Sequence, residues 1–258
     1  MINLQNICGL PIDFDDLECK MNLDKNLSCR NARRISINNL HPTLINKSVC
    51  YPLTVYEEYT VNYPEDVNVF GNNINFDIVV IPPGLLGIEF VKSHIFHVPL
   101  KNPFSPKFSS VVEGVKGVTM VIMQKIGYET IDGRVQPYVK EGIIIELKPK
   151  DKIAITEGYY YTFVNTHEET AIFSRVYKNY GSISYDKEFS RLNGLAYLCI
   201  RKNAKQEVVF NPKYRNIPNV RFSKPEENHF PSFDLDSKMN LYDLVKSRTE
   251  IFQELLVD

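Results

Sequence analysis

Residues 82–97 read PPGLLGIEFVKSHIFH. A Pro-Pro-Gly turn leads into a short apolar run that closes on two histidines, His94 and His97. The run is too short for a core helix and is rich in Ile, Val and Phe, so it reads as a strand. Side chains of a strand alternate between faces. Histidines three apart therefore point to opposite sides unless a one-residue bulge restores the phase. On this count His94 is expected to face outward and His97 inward.

The same texture continues on both sides. LTVYEEYTVN (53–62), NINFDIVVI (73–81), SSVVEGVKGVTMVIMQ (109–124), GIIIELK (142–148), DKIAIT (151–156), YYYTFVN (159–165) and TAIFSRVYK (170–178) are short and rich in Val, Ile, Tyr and Phe. Turn signals such as YPED (63–66), NTHEE (165–169) and NYGS (179–182) separate them. Many short, punctuated strands predict an all-β barrel or sandwich. The first fifty residues are Asn-rich and weakly periodic, and predict irregular structure with one short strand. The tail DSKMNLYDLVKSRTEIFQELLVD (236–258) differs. Leu241, Leu244, Val245, Phe252, Leu255 and Leu256 recur at helical spacing after a cap at Asp236 or Ser237, and Arg248 interrupts the stripe. This amphipathic helix must bury its apolar face on the barrel or on a second subunit.

Composition narrows the function. The 258 residues are 43% hydrophobic and 24% charged, with a net charge of -1. That balance excludes the basic surface needed for nucleic acid or an anionic membrane. No apolar run reaches the length of a membrane span. The opening MINLQNICGLPIDFDD lacks a basic segment followed by an apolar core, so a secretory signal is not expected. Five cysteines, Cys8, Cys19, Cys29, Cys50 and Cys199, form no C-x-x-C pair. They read as reduced thiols in a cytoplasm.

Several motifs, in order, carry a resemblance. Pro52 to Tyr59 (PLTVYEEY) is one, and Pro83 to Phe90 (PGLLGIEF), of the form P-G-x-x-G-x-E-[FY], is the next. Lys92 to His97 stands in the place of a K-G-H-x-H strand. Val115-Lys116-Gly117, Val164-Asn165, Tyr180-Gly181-Ser182-Ile183 and Asn211-Pro212-Lys213-Tyr214 with Ile217-Pro218 follow. Between about Thr54 and Pro218 the chain resembles the cupin-type glucose-6-phosphate isomerases. The resemblance implies a cupin double-stranded β-helix barrel over 51–222. An N-terminal extension (1–50) would pack on it, and an acidic segment with a helix (223–258) would follow. It also implies a homodimer acting in carbohydrate metabolism, with a divalent metal (Mn, Fe, Ni or Zn) inside the barrel. In the family two histidines of H-x-H, a glutamate on the next strand and a late histidine hold that metal. It helps position an open-chain sugar phosphate while a proton moves between C1 and C2.

This chain departs from the pattern. H-x-H has become His94-Ile95-Phe96-His97. Counting back from Lys116-Gly117, the glutamate aligns with Ser110, with Glu113 three residues on. Counting back from Val164-Asn165, the late histidine aligns with Tyr161. Phosphate-side positions match Val79, Val91 and Ser93, while Tyr56 and Tyr180 match substrate-side tyrosines and Lys178 replaces a histidine. Hydroxyl and phenol are poor ligands for these metals. The site is expected to be degenerate, with no tightly bound cofactor, and to take a divalent metal through His94 and His97 only if it is rearranged.

The candidate catalytic residues are His97, Tyr161 and Glu113, the last only if it faces the cavity. The candidate contacts for a small molecule such as a sugar phosphate are Tyr56, Ser93, Ser110, Tyr159, Lys178 and Tyr180. Tyr159 and Tyr161 could equally fill the barrel; Lys178 and Arg175 could clamp a phosphate or carboxylate, although lone surface cations are much commoner. Four functions fit: a sugar-phosphate isomerase with a rearranged metal site, a non-catalytic small-ligand barrel, a metal-independent enzyme using Tyr161, His97 and Lys178, or a scaffold.

Overall fold

The computed structural model describes residues 1–70, 74–102, 104, 107–131, 133–178, 187–228, 235 and 238–256. The chain begins with β1 (Ile2–Asn3), α1 (Gln5–Cys8), β2 (Ile12–Asp15), β3 (Lys20–Leu23), β4 (Ser28–Ser36) and α2 (Ile37–Leu40). Next come β5 (Thr54–Asn62), α3 (Val67–Phe70), β6 (Ile74–Ile81), β7 (Leu85–Leu86), β8 (Glu89–Phe90) and β9 (Phe96–His97). They are followed by β10 (Phe108–Lys116), β11 (Thr119–Ile131), β12 (Arg134–Leu147), β13 (Lys152–Thr156), β14 (Tyr160–Val164) and β15 (Ala171–Lys178). Last are α4 (Lys187–Leu192), β16 (Tyr197–Lys202), β17 (Lys205–Phe210), β18 (Arg221–Ser223), α5 (Leu241–Ser247) and α6 (Thr249–Leu255).

Two sheets form the expected all-β cupin barrel. One has the order β13-β10-β15-β6-β5-β4 and the other β18-β12-β11-β14-β9. Non-consecutive neighbours such as β10, β15 and β6 show that the chain crosses between sheets, as a double-stranded β-helix requires. Period-2 alternation decides what each strand buries. In β6, Val79 and Ile81 face the interior with Tyr56, Val112, Met123, Tyr161, Phe163 and Phe173. Phe76, Ile78 and Val80 face the other way. The long β11–β12 hairpin closes between Ile131 and Arg134, where Gly133 takes a φ of 73° that most residues avoid.

Both outer faces are covered. Phe76, Ile78, Val80, Ile172 and Val176 pack against Leu10, Ile12 and Phe14 of the N-terminal segment and against Tyr242, Leu244, Val245 and Phe252 of α5 and α6. The second sheet buries Met120, Ile122 and Ile144 under Leu195, Tyr197, Cys199 and Tyr214. The apolar stripe of the tail thus docks on its own domain. Its cap is Asn240, which accepts from the Asp243 N–H, and the helix breaks at Arg248 into α5 and α6. Asp236 and Ser237 lie outside the described residues. Residues 1–50 hold four strands rather than one. β4 is an edge strand whose mostly exposed sequence, SCRNARRIS, buries no stripe and so shows no alternation to read. All five cysteines are free, and burial pushes the Cys8 thiol up to about 11. No helix among the described residues is long and apolar enough to cross a membrane.

Candidate functional site

The two histidines take faces opposite to those expected. β9 pairs with β14 so that Phe96 lies across from Tyr161 and His97 across from Tyr160. Tyr161 and Phe96 are interior residues. His94, two residues before Phe96, shares that face and is 2% exposed. Its Nδ1 and the Tyr56 hydroxyl are hydrogen-bonded, and its ring lies 4.1 Å from that of Phe96. His97 points outward and stacks on Tyr160, with ring centroids 3.6 Å apart and planes within 9°. The strand therefore runs in plain alternation from His94. A phase counted from the histidine spacing starts on the wrong residue: Lys92-Ser93-His94-Ile95-Phe96 aligns with K-G-H-x-H without a gap, with Ser93 in place of the glycine and Phe96 in place of the second histidine.

The other two aligned positions arrive where the resemblance places them. The Ser110 hydroxyl, on β10, and the Tyr161 hydroxyl, on β14, are 3.1 Å apart and hydrogen-bonded. Phe96 stacks on Tyr161 with centroids 5.3 Å apart and meets Phe163 edge-on at 5.8 Å. His94, Phe96, Ser110 and Tyr161 thus converge from three parts of the barrel wall into one contiguous group.

A charged cluster borders this group. Arg175 on β15 is 3% exposed. Its Nη2 donates to Asp77 Oδ2 at 2.8 Å and lies 3.8 Å from Glu58 Oε1. Its Cζ sits 4.3 Å from the centroid of the Phe96 ring. Asp77 also accepts from the Thr60 hydroxyl at 2.7 Å, and Arg33 Nη2 reaches Glu58 Oε2 at 2.8 Å. The register explains the meeting: Arg175 lies directly across from Asp77 in the β15–β6 pair, and Glu58 follows on β5. Burial opposes the Arg175 charge, but Asp77, Tyr177 and Glu58 outweigh it and hold the guanidinium proton more tightly. Burial pushes the Glu58 carboxyl above its ordinary value, against the pull of Arg175. Burial, then Arg175 and Arg33, holds His94 well below the usual imidazole range, so the ring is neutral.

The glucose-6-phosphate isomerase family profile matches residues 38–216. The chain belongs to this family. A comparison with curated proteins found no match. Among solved structures, the CENP-C cupin domain of Drosophila melanogaster is similar at 14% identity over 48% of this chain and 69% of that one, with a TM-score of 0.28. The Cnp3 cupin domain of Schizosaccharomyces pombe follows at 9% identity over 48% and 65%, with a TM-score of 0.28. The oxalate decarboxylase of Bacillus subtilis, which carries Mn(II) centres, is similar at 12% identity over 52% and 29%, with a TM-score of 0.29. These structural likenesses are too distant to argue from.

For a member of the glucose-6-phosphate isomerase family the donor set is the decisive point. The four aligned positions offer one imidazole, one phenyl ring, one aliphatic hydroxyl and one phenol. Mn, Fe, Ni and Zn sites are built from imidazole, thiolate and carboxylate, and a single imidazole does not hold them. Among the described residues no group of three or more His, Cys, Asp or Glu could hold a metal ion. The residues present do not fit the metal that the family implies.

The remaining expected residues divide. Tyr56 faces the interior beside His94. Tyr159 lies at the rim of the interior and donates its hydroxyl to Glu141 Oε2 at 2.7 Å. Ser93 is buried, but its hydroxyl is taken up within the fold: it donates to the His94 carbonyl and accepts from the Phe163 N–H at 3.0 Å. Glu113 faces away from the barrel interior, in phase with Val111 and Val115. It pairs with Lys152 at 3.0 Å and accepts the Leu241 N–H at 2.8 Å, so it anchors the start of α5 instead of acting as a base. Lys178 falls in register with Ile172 and Val176 on the outer face, one residue out of phase with Arg175 and Tyr177. His97 is likewise outside. Tyr180 lies outside the described residues. The residues that sequence reasoning missed are Phe96, Glu58 and Asp77, together with the buried position of Arg175. The gapless alignment that Lys92 and His94 anchor was the signal that could have found Phe96.

Proposed function

We propose that this protein is a glucose-6-phosphate isomerase family barrel that works without the family's metal centre, as a non-catalytic binding barrel for a small polar ligand. One observation carries the reading: Phe96 stands at a metal-histidine position and is stacked on Tyr161, itself at another, with centroids 5.3 Å apart. Aromatic packing fills the place where coordination would have to occur. The polar groups left facing inward, Tyr56 with His94 and Ser110 with Tyr161, suit hydrogen bonds to a neutral or anionic molecule. A sugar phosphate is the first ligand to try, given the family.

The test combines two measurements on the purified protein. Interconversion of glucose-6-phosphate and fructose-6-phosphate, with Mn, Fe, Ni or Zn added, should stay at background. A thermal-shift screen of sugar phosphates, inorganic phosphate and small carboxylic acids should find a stabilising compound. Metal-dependent turnover would refute the first half, and a flat screen the second. A metal-independent enzyme is the second reading, supported by the His94–Tyr56 pair: a neutral imidazole bonded to a phenol can pass a proton. That form of the reading no longer includes His97 or Lys178, which face outward. It predicts turnover that is lost in Tyr56→Phe. A homodimer, expected from the family, is tested by sedimentation equilibrium.

A further inference from the structure

We propose that the guanidinium of Arg175 is the barrel's built-in cation, and that Phe96, Asp77 and Glu58 form a cation-receiving site which the side chain of this arginine fills. The inference rests on the first reading above, a barrel without the family's metal centre, and explains how the interior tolerates the loss of that metal.

Two buried carboxylates project into the barrel from neighbouring strands, Glu58 at 2% exposure and Asp77 at 0%. Buried carboxylates without a counter-cation are costly, and their neighbours must supply one. Arg175 supplies it to Asp77, with Nη2 at 2.8 Å, and stands 3.8 Å from Glu58, which it shares with Arg33 at 2.8 Å. The same guanidinium lies 4.3 Å from the centroid of Phe96, the residue standing in place of a metal histidine. An imidazole holds a metal through its ring nitrogen, in the ring plane. A phenyl ring has no such donor, but its face attracts a guanidinium. Replacing histidine by phenylalanine therefore removes a ligand for one kind of cation and creates a partner for another. A divalent ion beside this group would also lie within a few ångströms of a permanent positive charge, which disfavours it further. Tyr177 adds a second ring face at 4.3 Å from Cζ, so the guanidinium has an aromatic partner on two sides and a carboxylate along its edge.

The test empties the site and offers it outside cations. Arg175→Ala should melt several degrees below the parent protein, and millimolar methylguanidinium chloride should raise its melting temperature in a saturable way. The parent protein should show no such rise, because its site is filled. In Arg175→Ala/Phe96→Leu the response should weaken several-fold, and in Arg175→Ala/Asp77→Asn it should disappear. A folded Arg175→Ala that ignores methylguanidinium overturns the inference and leaves the reading of a barrel without the metal centre standing. A stoichiometric transition metal in the parent protein overturns that reading itself. Should Arg175→Ala not fold, Arg175→Met/Glu58→Gln/Asp77→Asn decides the matter. Its folding supports the inference, because the arginine is then needed only to answer the two carboxylates. Its failure to fold overturns it.

Discussion

The six-stranded sheet buries charge on both of its faces, and the two clusters serve different ends. On the inner face Arg175 pairs with Asp77, stands beside Glu58 and lies against Phe96. On the outer face Glu113 joins Lys152 of the adjacent strand to the first N–H of α5. The outer carboxylate is a clamp: it receives a backbone donor that the helix start leaves unpaired and fixes a terminal segment to the barrel. The inner guanidinium is a counter-charge: it pairs with buried Asp77, stands beside Glu58 and lies on the Phe96 ring. Buried charges on the two faces of one sheet thus differ in what they hold: a terminal helix on the outside, a pair of strands and an aromatic ring on the inside.

Arg175→Ala should have the largest effect, because it leaves buried Asp77 without its cation and Glu58 with Arg33 alone. A loss of about 3–5 kcal/mol in denaturant titration is expected. It should fall on the whole barrel, so fluorescence and circular dichroism unfold together. Glu113→Ala should cost about 2–3 kcal/mol, since it strands Lys152 and the Leu241 N–H. Its signature is different: limited proteolysis should cut the 240–256 region while the barrel stays intact. Global unfolding in both variants would erase the distinction between clamp and counter-charge.

A smaller effect concerns pH. His94 is neutral in the fold because burial, Arg175 and Arg33 lower its pKa, whereas in the unfolded chain it titrates near the ordinary value of about 6.5. Below that pH the unfolded state binds a proton that the folded state does not. Stability therefore falls as pH drops below about 6.5, by at most about 1.4 kcal/mol per pH unit. Glu58 and Glu113, whose carboxyls burial raises, act with the opposite sign above their unfolded values. The difference between the parent and His94→Gln isolates the histidine: the variant should lose stability less steeply from pH 6.5 downward, and identical slopes would place the imidazole outside the charged interior. The smallest effect belongs to Arg34, three-quarters exposed and paired with Glu57 at 2.9 Å. Arg34→Ala should change stability by less than about 0.5–1 kcal/mol.

The barrel and its C-terminal helix were legible because their signals are local. Strands of period two between turn residues, and a helical stripe broken at Arg248, can be read without knowing what lies opposite. Ser110 and Tyr161 were legible too, since fixed counts from Lys116-Gly117 and Val164-Asn165 carried them to the correct face. His94 and His97 were inverted because the phase was counted from the histidines instead of from Lys92. Lys178 was placed by alignment from Tyr180-Gly181, and it falls one residue out of phase with the interior, where an error of one flips every side chain in a strand. The Glu58–Asp77–Arg175 cluster was beyond reach. Its members are widely separated in sequence, and only the register of β5, β6 and β15 brings them together.

The central claim, that side chains and a guanidinium occupy the place of the family's metal, is tested most directly by crystals of the parent protein soaked in a manganese salt and measured for anomalous scattering. No anomalous peak beside His94, with the Arg175 guanidinium lying on the Phe96 ring, is the predicted result. A fully occupied manganese ion coordinated by His94, with Arg175 displaced from Phe96, would contradict it.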